Sequence, residues 1–459
     1  MGCSMIVIAG TQSGVGKTSV SLALVAAIRR RGYRVQTFKV GPDFLDPSYL
    51  GLASGRPCYN LDGWMTDRDY VSRLFARGTE NADIAIVEGV MGLFDGASPA
   101  TLEGSTAEIA HWLKAPVILV ANAHGMGRSL AAVVKGYASL EPEVKVAGVI
   151  ANQCGSERHA AWLSDSLRSS SLPPLVGSIP RNAFPELAHR HLGLMTAHSG
   201  NLSGPVLDAF ADAFELHGSV ENLLQLTQRS PSLQGSSPKR VTFQKPVRIG
   251  VAFDAAFHFY YQDLFDEMEM RGCELIRFSP IEDSSLPESL DGLYVGGGYP
   301  EEYAEALSAN KRMLTDIRQF AASGCPVYAE CGGLIYLSRD LERLDGKQYP
   351  LVGLLPVTTR MLERKKFLGY VKVSLKESSL WGSEGTTLRG HEFHYSELTG
   401  DPTANRDWKA VYRVRRPLSE AVVDEGFQCG RVLASYVHLH LASRPEAVER
   451  FITSCGGKL

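Results

Sequence analysis

The chain has no C-x-x-C pair, no long run of charge of one sign and no stretch of about twenty apolar residues, and each absence removes a class of protein. Its eight cysteines stand far apart at positions 3, 58, 154, 273, 325, 331, 429 and 455. Neither a zinc ribbon nor a disulfide framework is expected, and the compartment is a reducing one. The amino terminus lacks the basic-then-apolar order of a signal peptide, and Met1-Gly2-Cys3-Ser4-Met5-Ile6 carries Ile where a myristoylated terminus needs Ser or Thr. Lys and Arg number 47 against 50 Asp and Glu, a net charge of −3, so the balance favours neither nucleic acid nor a membrane surface as partner. The expected partners are small molecules, the expected compartment is the cytoplasm, and the expected assembly is a homodimer.

With 459 residues, 44% of them hydrophobic and 21% charged, the chain exceeds a single core and can build two or three. Met5–Ala9, Arg34–Phe38, Asp83–Val87, Pro116–Ala121 and Val144–Ala151 read as strands with helices between them. They are apolar along their whole length, as a parallel sheet covered on both faces requires. The first helix carries Val20, Leu24, Ala27 and Ile28 on one face and ends in Arg29-Arg30-Arg31-Gly32, a basic last turn and stop. Two more helices are expected at 205–216 and 220–228. Residues 229–246 then turn rich in Ser, Pro and polar residues, which cannot build a core. A second α/β series follows at Val247–Phe253, Glu274–Ser279, Gly292–Val295 and Pro326–Ala329, with a strand-rich tail. The expectation is therefore two doubly wound α/β domains, 1–228 and 247–459, joined by a linker over 229–246.

Gly10-Thr11-Gln12-Ser13-Gly14-Val15-Gly16-Lys17-Thr18 sits where the first strand ends and a helix begins. The N–H groups of a Gly-rich turn and the positive end of a helix hold phosphates, Lys17 reaches the β and γ oxygens, and the Thr18 hydroxyl ligates Mg²⁺. The strict pattern places Gly where this chain has Thr11. A nucleotide triphosphate brings a hard cation that takes carboxylate oxygens. Glu88, ending the third strand, and Asp43, following the second in Lys39-Val40-Gly41-Pro42-Asp43, stand at the carboxyl edge of the sheet where such ligands bind. Asp95 in Gly92-Leu93-Phe94-Asp95-Gly96 is a further acidic candidate, and Asp-Gly is also an ordinary turn. Asn152 ends the fifth strand. Its amide can read an adenine edge, and an Asn at a strand end is equally a turn residue.

In the second half, Pro326-Val327-Tyr328-Ala329-Glu330-Cys331-Gly332-Gly333-Leu334 runs an apolar strand into a cysteine followed by two glycines. This is the pattern of a nucleophile elbow, which exposes a side chain on a sharp turn. A thiol nucleophile needs a base, and Tyr436-Val437-His438-Leu439-His440-Leu441 offers two histidines on one strand face. One of them is expected to take the Cys331 proton and the other to orient it. His391 and His394 lie in Arg389-Gly390-His391-Glu392-Phe393-His394-Tyr395-Ser396. The N–H groups of Gly297 and Gly298 in Gly296-Gly297-Gly298-Tyr299-Pro300-Glu301 can stabilise an oxyanion near the cysteine. A His-x-His metal site lacks a third nearby ligand.

These motifs, with Arg190-His191-Leu192-Gly193-Leu194 between them, occur in the order found in cobyrinic acid a,c-diamide synthases, and the chain resembles that family from about residue 5 to 445. The resemblance implies a P-loop, dethiobiotin-synthetase-type ATPase followed by a class I glutamine amidotransferase domain. It implies ATP and Mg²⁺ held through Thr11, Gly14, Val15, Gly16, Lys17, Thr18 and Asn152, with Thr18, Asp43 and Glu88 on the metal. Cys331, His438 and His440 would be the glutaminase residues, although most class I glutaminases carry Glu at the position of His440. Asp46, Asp95, Gly297, Gly298 and His391 would face substrates. The implied reaction converts the a and c acetates of cobyrinic acid to amides in cobalamin biosynthesis, using two ATP and two L-glutamine.

Close rivals are the same chemistry on hydrogenobyrinic acid or nickel-sirohydrochlorin. The Thr-Tyr-x-His-Gly ending of cobyric acid synthases is absent, with Ser435-Tyr436-Val437-His438-Leu439 in its place. A rival of another class is a regulatory nucleotide switch with an inert amidotransferase-like appendage, and the presence of both Cys331 and His438 argues against it.

Overall fold

The computed structural model describes residues 2–187, 189–190, 193–194, 202–229, 245–417 and 421–457. The chain divides into two compact units, Met1–Ser237 and Pro238–Leu459. Most of the expected linker, and His191 and Leu192 of the motif at 190–194, lie outside the described residues.

In the first unit β1 (Ser4–Gly10), α1 (Lys17–Arg30), β2 (Val35–Val40), α2 (Leu45–Ser54), β3 (Tyr59–Leu61), α3 (Arg68–Gly78), β4 (Ile84–Glu88), α4 (Thr106–Leu113), β5 (Val117–Asn122), α5 (Ser129–Leu140), β6 (Val146–Cys154), α6 (Glu157–Ser169) and β7 (Leu175–Pro180) alternate. The strands run in the order β3-β2-β4-β1-β5-β6-β7 and all pair in parallel. Side chains alternate across a strand, so β1 feeds two cores at once. Met5, Val7 and Ala9 join the cluster on one face, and Ile6 and Ile8 join that on the other with Val20, Leu24, Ala27 and Ile28 of α1. Burial on both faces is why the strands read as continuous apolar runs. Helices at Gly204–His217 and Val220–Leu226 cover the α1 side, and Gln228–Arg229 pairs antiparallel with β1.

Two strand numbers need correction. The short β3 precedes Ile84–Glu88, so Glu88 ends the fourth strand, and Asn152 lies near the end of the sixth. With three residues, β3 is too short to show an apolar period.

In the second unit β8 (Val247–Ala252), β9 (Cys273–Phe278), β10 (Gly292–Val295), β11 (Val327–Glu330), β12 (Phe367–Leu375), β13 (Thr387–His394), β14 (Lys409–Arg415), β15 (Val422–Cys429), β16 (Val432–Ser435) and β17 (Val437–Leu439) form one sheet in the order β9-β8-β10-β11-β16-β15-β14-β12-β13-β17. The pairs from β9 to β16 are parallel and the rest antiparallel. Phe257–Phe259 adds a short antiparallel pairing with Gly297–Gly298. No helix among the described residues is long and apolar enough to cross a membrane.

Candidate active sites

The first site lies at the carboxyl edge of the first unit's sheet. Gly14 and Gly16 adopt left-handed φ of 76° and 93°, which glycine enters without steric cost. Gly16 caps α1 with no side-chain acceptor, so N–H groups of the first helical turn are available to an anion. Thr11 takes no positive φ. Its N–H continues the ladder to the Val120 carbonyl at 3.0 Å, so glycine is not needed there. A side chain is excluded instead at Gly10, where a Cβ would fall 2.8 Å from Val15 Cγ2. Asn152 is buried, and its amide is engaged by protein. Nδ2 donates to the Val15 carbonyl at 2.8 Å and Oδ1 accepts from the Gln153 N–H at 2.9 Å. Asn152 thus clamps the phosphate loop, and it also lines the cleft beside it.

Beside the loop is a cleft of about 640 Å³ that Lys17, Thr18, Lys39, Asp43, Asp46 and Asn152 help to line, with residues 182–187 on its wall. Lys17 Nζ donates to the carbonyls of Met91 at 2.5 Å and Gln12 at 3.3 Å. Burial and the nearby Lys39 charge lower its pKa. Thr18 Oγ1 donates to Glu88 Oε1 at 2.9 Å. Lys39, which sequence reasoning passed over, joins these groups: its Nζ lies 2.5 Å from Asp46 Oδ2 and 2.7 Å from Glu88 Oε1. Burial alone would lower the Lys39 pKa, but the two carboxylates raise it. Burial pushes Glu88 up to about 7 against the pull of Lys39, whereas Lys39 holds Asp46 below the ordinary carboxylate range despite burial. A lysine inside an apolar strand was the available signal, since a buried ammonium has to be paired.

Two placements differ from expectation. Asp46 lies in the first turn of α2 rather than a loop, and Lys39 is its partner. Asp43 Oδ1 accepts from the N–H groups of Leu45 and Asp46, so it caps α2. Asp95 Oδ2 accepts from the Gly92 N–H at 2.9 Å within its own turn. The donor set nevertheless fits a hard cation. Glu88 Oε2 is a buried carboxylate oxygen without a hydrogen-bond partner, beside the Thr18 hydroxyl. Among the described residues no group of three His, Cys, Asp or Glu forms a metal cage, and a nucleotide-borne Mg²⁺ requires none.

The second site is built on the turn after β11. Cys331 has φ 47° and ψ −99°, a backbone conformation costly for a non-glycine residue. Its N–H is fixed to the Ser435 carbonyl at 2.7 Å, and Sγ lies 3.6 Å from the Phe393 carbonyl. The turn closes only because glycine follows: a Cβ at Gly333 would lie 2.1 Å from the Val295 carbonyl. Gly297 and Gly298 pack here too. A Cβ on Gly332 would approach Gly298 N to 2.9 Å, and one on Gly297 would approach His438 Cε1 to 2.4 Å. His438 hydrogen-bonds the Cys331 side chain. Burial opposes its charge, but Cys331 and Glu330 outweigh burial and push its pKa up to about 10.

The other two histidines do not do what was expected. His440 Nε2 lies 3.2 Å from Asp263 Oδ2 and packs on Tyr261, so it is not the orienter of His438. Strand β17 ends at Leu439, and the side chain that follows turns to the helix Gln262–Met270. His391 is buried, stacked on His438 at 4.9 Å and 16° between rings, with Nδ1 3.1 Å from the Tyr261 hydroxyl. It backs the His438 ring rather than lining a substrate surface. Burial, then the neighbouring His438 and His440, hold its pKa well below the usual value. Glu330 and Asp263 were not singled out from sequence. Adjacency to Cys331 was the only signal for Glu330.

Residues 6–194 match the model of the CobQ/CobB/MinD/ParA nucleotide binding domain, and residues 248–446 that of the CobB/CobQ-like glutamine amidotransferase domain. A cobyrinate a,c-diamide synthase of Syntrophotalea carbinolica is 54% identical over 459 residues, covering all of both chains. The enzyme of that name from Leptospira interrogans serovar copenhageni is 42% identical over 450 residues, 98% of each chain. That of Dehalococcoides mccartyi strain 195 is 42% identical over 458 residues, 97% of each.

Proposed function

The chain belongs to the cobyrinate a,c-diamide synthase family and is a glutamine-dependent amide ligase, and from that premise we propose that it amidates the a and c acetates of cobyrinic acid in the cytoplasm. The observation that carries the reading is Cys331, held at φ 47° and hydrogen-bonded to His438, on the same chain as the phosphate loop with Lys17 and Thr18. The proposed organisation is a synthetase domain over 1–228, a linker over 229–246 and an amidotransferase domain over 247–459.

In the glutaminase half, the Cys331 thiolate attacks the glutamine side-chain amide. His438 gives a proton to the departing nitrogen, ammonia leaves, and water then cleaves the glutamyl thioester to glutamate. The N–H groups of Gly297 and Gly298 would meet the oxyanion. In the other half, a substrate carboxylate oxygen takes the γ-phosphoryl group of ATP, giving an acyl phosphate and ADP. Ammonia then displaces phosphate to leave the amide. Activation is needed because a carboxylate is a poor acyl donor. The chain's own part is positioning and charge neutralisation by Lys17, Lys39 and the loop N–H groups. Thr18, Asp43 and Glu88 would hold Mg²⁺, which supplies neutralisation of phosphate charge when bound.

Pure protein incubated with ATP, Mg²⁺, glutamine and a panel of cobyrinic acid, hydrogenobyrinic acid and nickel-sirohydrochlorin tests the reading. Amidation detected by mass, greatest for cobyrinic acid, is expected. Preference for another macrocycle would reassign the substrate, and no amidation of any would sink the proposal. A homodimer is proposed as the assembly, with molar mass by light scattering as its measurement.

A further inference from the structure

A Cys–His pair needs a third group to orient its base, and His440, two residues on, faces Asp263 instead. We propose that Glu330, the residue before the nucleophile, is the positioning acid: its carboxylate keeps His438 protonated at Nδ1, so that Nε2 is the nitrogen that receives the Cys331 proton. This deepens the glutaminase reading and rests on it.

The placement is specific. Glu330 Oε2 stands 3.7 Å from His438 Nδ1, an ion-pair distance longer than a direct hydrogen bond. The same oxygen accepts from the Tyr294 hydroxyl at 2.8 Å, while Oε1 accepts from the Tyr328 hydroxyl at 2.5 Å and the Leu439 N–H at 3.2 Å. Three donors therefore fix a carboxylate that is 2% exposed. All three are neutral, and a buried carboxylate is costly until a cation compensates it. An imidazolium at His438 provides that cation while the thiolate is poised. Glu330 ends β11 and Cys331 opens the turn, so the strained backbone at Cys331 lets consecutive side chains reach one imidazole.

The neighbouring candidates are engaged elsewhere. His440 is committed to Asp263 at 3.2 Å, and His391 meets His438 face to face rather than in its ring plane, where a hydrogen bond would have to lie. The titratable groups around His438 are Cys331, Glu330 and His391, with Glu392 and His394 also within electrostatic reach. When the thiol proton passes to Nε2 the imidazolium forms. Glu330 stabilises it without taking a proton, the role an acid plays in Ser-His-Asp sites.

The test compares Glu330→Gln, Glu330→Asp and Asp263→Asn in the full chain, with steady-state glutaminase kinetics and the pH profile of kcat/KM. Glu330→Gln presents an amide where a carboxylate faced Nδ1. It should lower kcat by about 10²-fold or more, as misorienting a catalytic histidine does, with KM for glutamine within about threefold and a displaced pH profile. Ammonia-driven amidation should persist. Glu330→Asp restores charge at a shorter reach and should recover part of kcat, whereas Asp263→Asn should leave the pH profile in place. Protection of Cys331 from iodoacetamide by glutamine reports whether each variant still folds around its substrate, and Glu330→Asp decides the matter if Glu330→Gln does not. Wild-type kcat in Glu330→Gln, or a displaced profile only in Asp263→Asn, would overturn the proposal. Glutaminase activity surviving in Cys331→Ala would instead sink the underlying reading.

Discussion

Lys39 Nζ lies 2.7 Å from Glu88 Oε1 at a sheet edge where both side chains are buried. Asp46 completes the set at 2.5 Å, so one ammonium is shared between two carboxylates. Lys39→Met leaves both acids without their cation. Removing one partner of a buried pair costs about 3–5 kcal/mol, and a loss of that order is expected in urea unfolding of the nucleotide-binding unit. Amidation should vanish with either nitrogen source. Unchanged unfolding would mean that water or another cation already balances the acids.

Lys17→Ala or Glu88→Gln should abolish amidation from glutamine and from ammonia alike, because in the proposed reaction carboxylate activation precedes ammonia attack. Losing one contact to developing charge costs on the order of 10²–10³ in rate. Product formation from ammonia and the tetrapyrrole, followed by mass, decides it, and retention of activity in both variants would place phosphoryl transfer elsewhere.

Cys331→Ala should eliminate glutamine-driven amidation and spare ammonia-driven amidation, since only the thiolate is lost. Paired assays with the two nitrogen sources check this. Equal loss in both would mean that the cysteine supports the ATP half.

The division between what could and could not be read from sequence has a physical cause. Buried parallel strands need apolar side chains on both faces, so β1, β2, β4, β5, β6, β8 and β11 were legible to within a few residues, as were the phosphate loop and the cysteine turn. Pairing between charged residues distant in sequence was not legible. Nothing local tells that Lys39 meets both Asp46 and Glu88, or that His440 turns to Asp263 while Glu330 turns to His438. The two histidines share a strand-face parity with opposite outcomes, because β17 stops between them. Parity describes a strand only while the strand continues.

The His438 charge makes stability depend on pH with a definite sign. In the folded chain the imidazole keeps its proton to about 10, against an ordinary value of 6.5, so the folded state binds the proton more tightly than the unfolded state. This contribution is complete below about pH 6.5 and is lost as pH rises through about 10. Cys331→Ala removes the partner that does most to raise the value. The thermal midpoint of the wild type should therefore fall more steeply between pH 7 and 10 than that of Cys331→Ala. Parallel curves would show that His438 is neutral in the resting enzyme.

Asp46 and Asp95 separate charge from geometry at the proposed carboxylate-activating site. Asp46→Asn removes one charge and leaves Glu88 as the carboxylate paired with Lys39, beside the Gly89 carbonyl, so the ammonium is drawn toward Glu88 and away from where a phosphate oxygen would meet it. Both amidations should slow by at least about tenfold, the scale of weakening one charge contact, with glutaminase turnover unchanged. Asp95 poses a different question, since Oδ2 ties the Gly92 N–H in a turn that packs on the phosphate loop, with the Leu93 N–H on the Gly10 carbonyl at 2.9 Å. Asp95→Asn keeps an oxygen for Gly92 and removes only the charge, whereas Asp95→Ala removes both. If the carboxylate helps to select which acetate is presented, Asp95→Asn should accumulate a monoamide that the wild type converts onward, and Asp95→Ala should do so at a lower overall rate. Following mono- and diamide masses over time distinguishes the cases: a wild-type course for Asp95→Asn beside an impaired Asp95→Ala would reduce Asp95 to the residue that holds the turn.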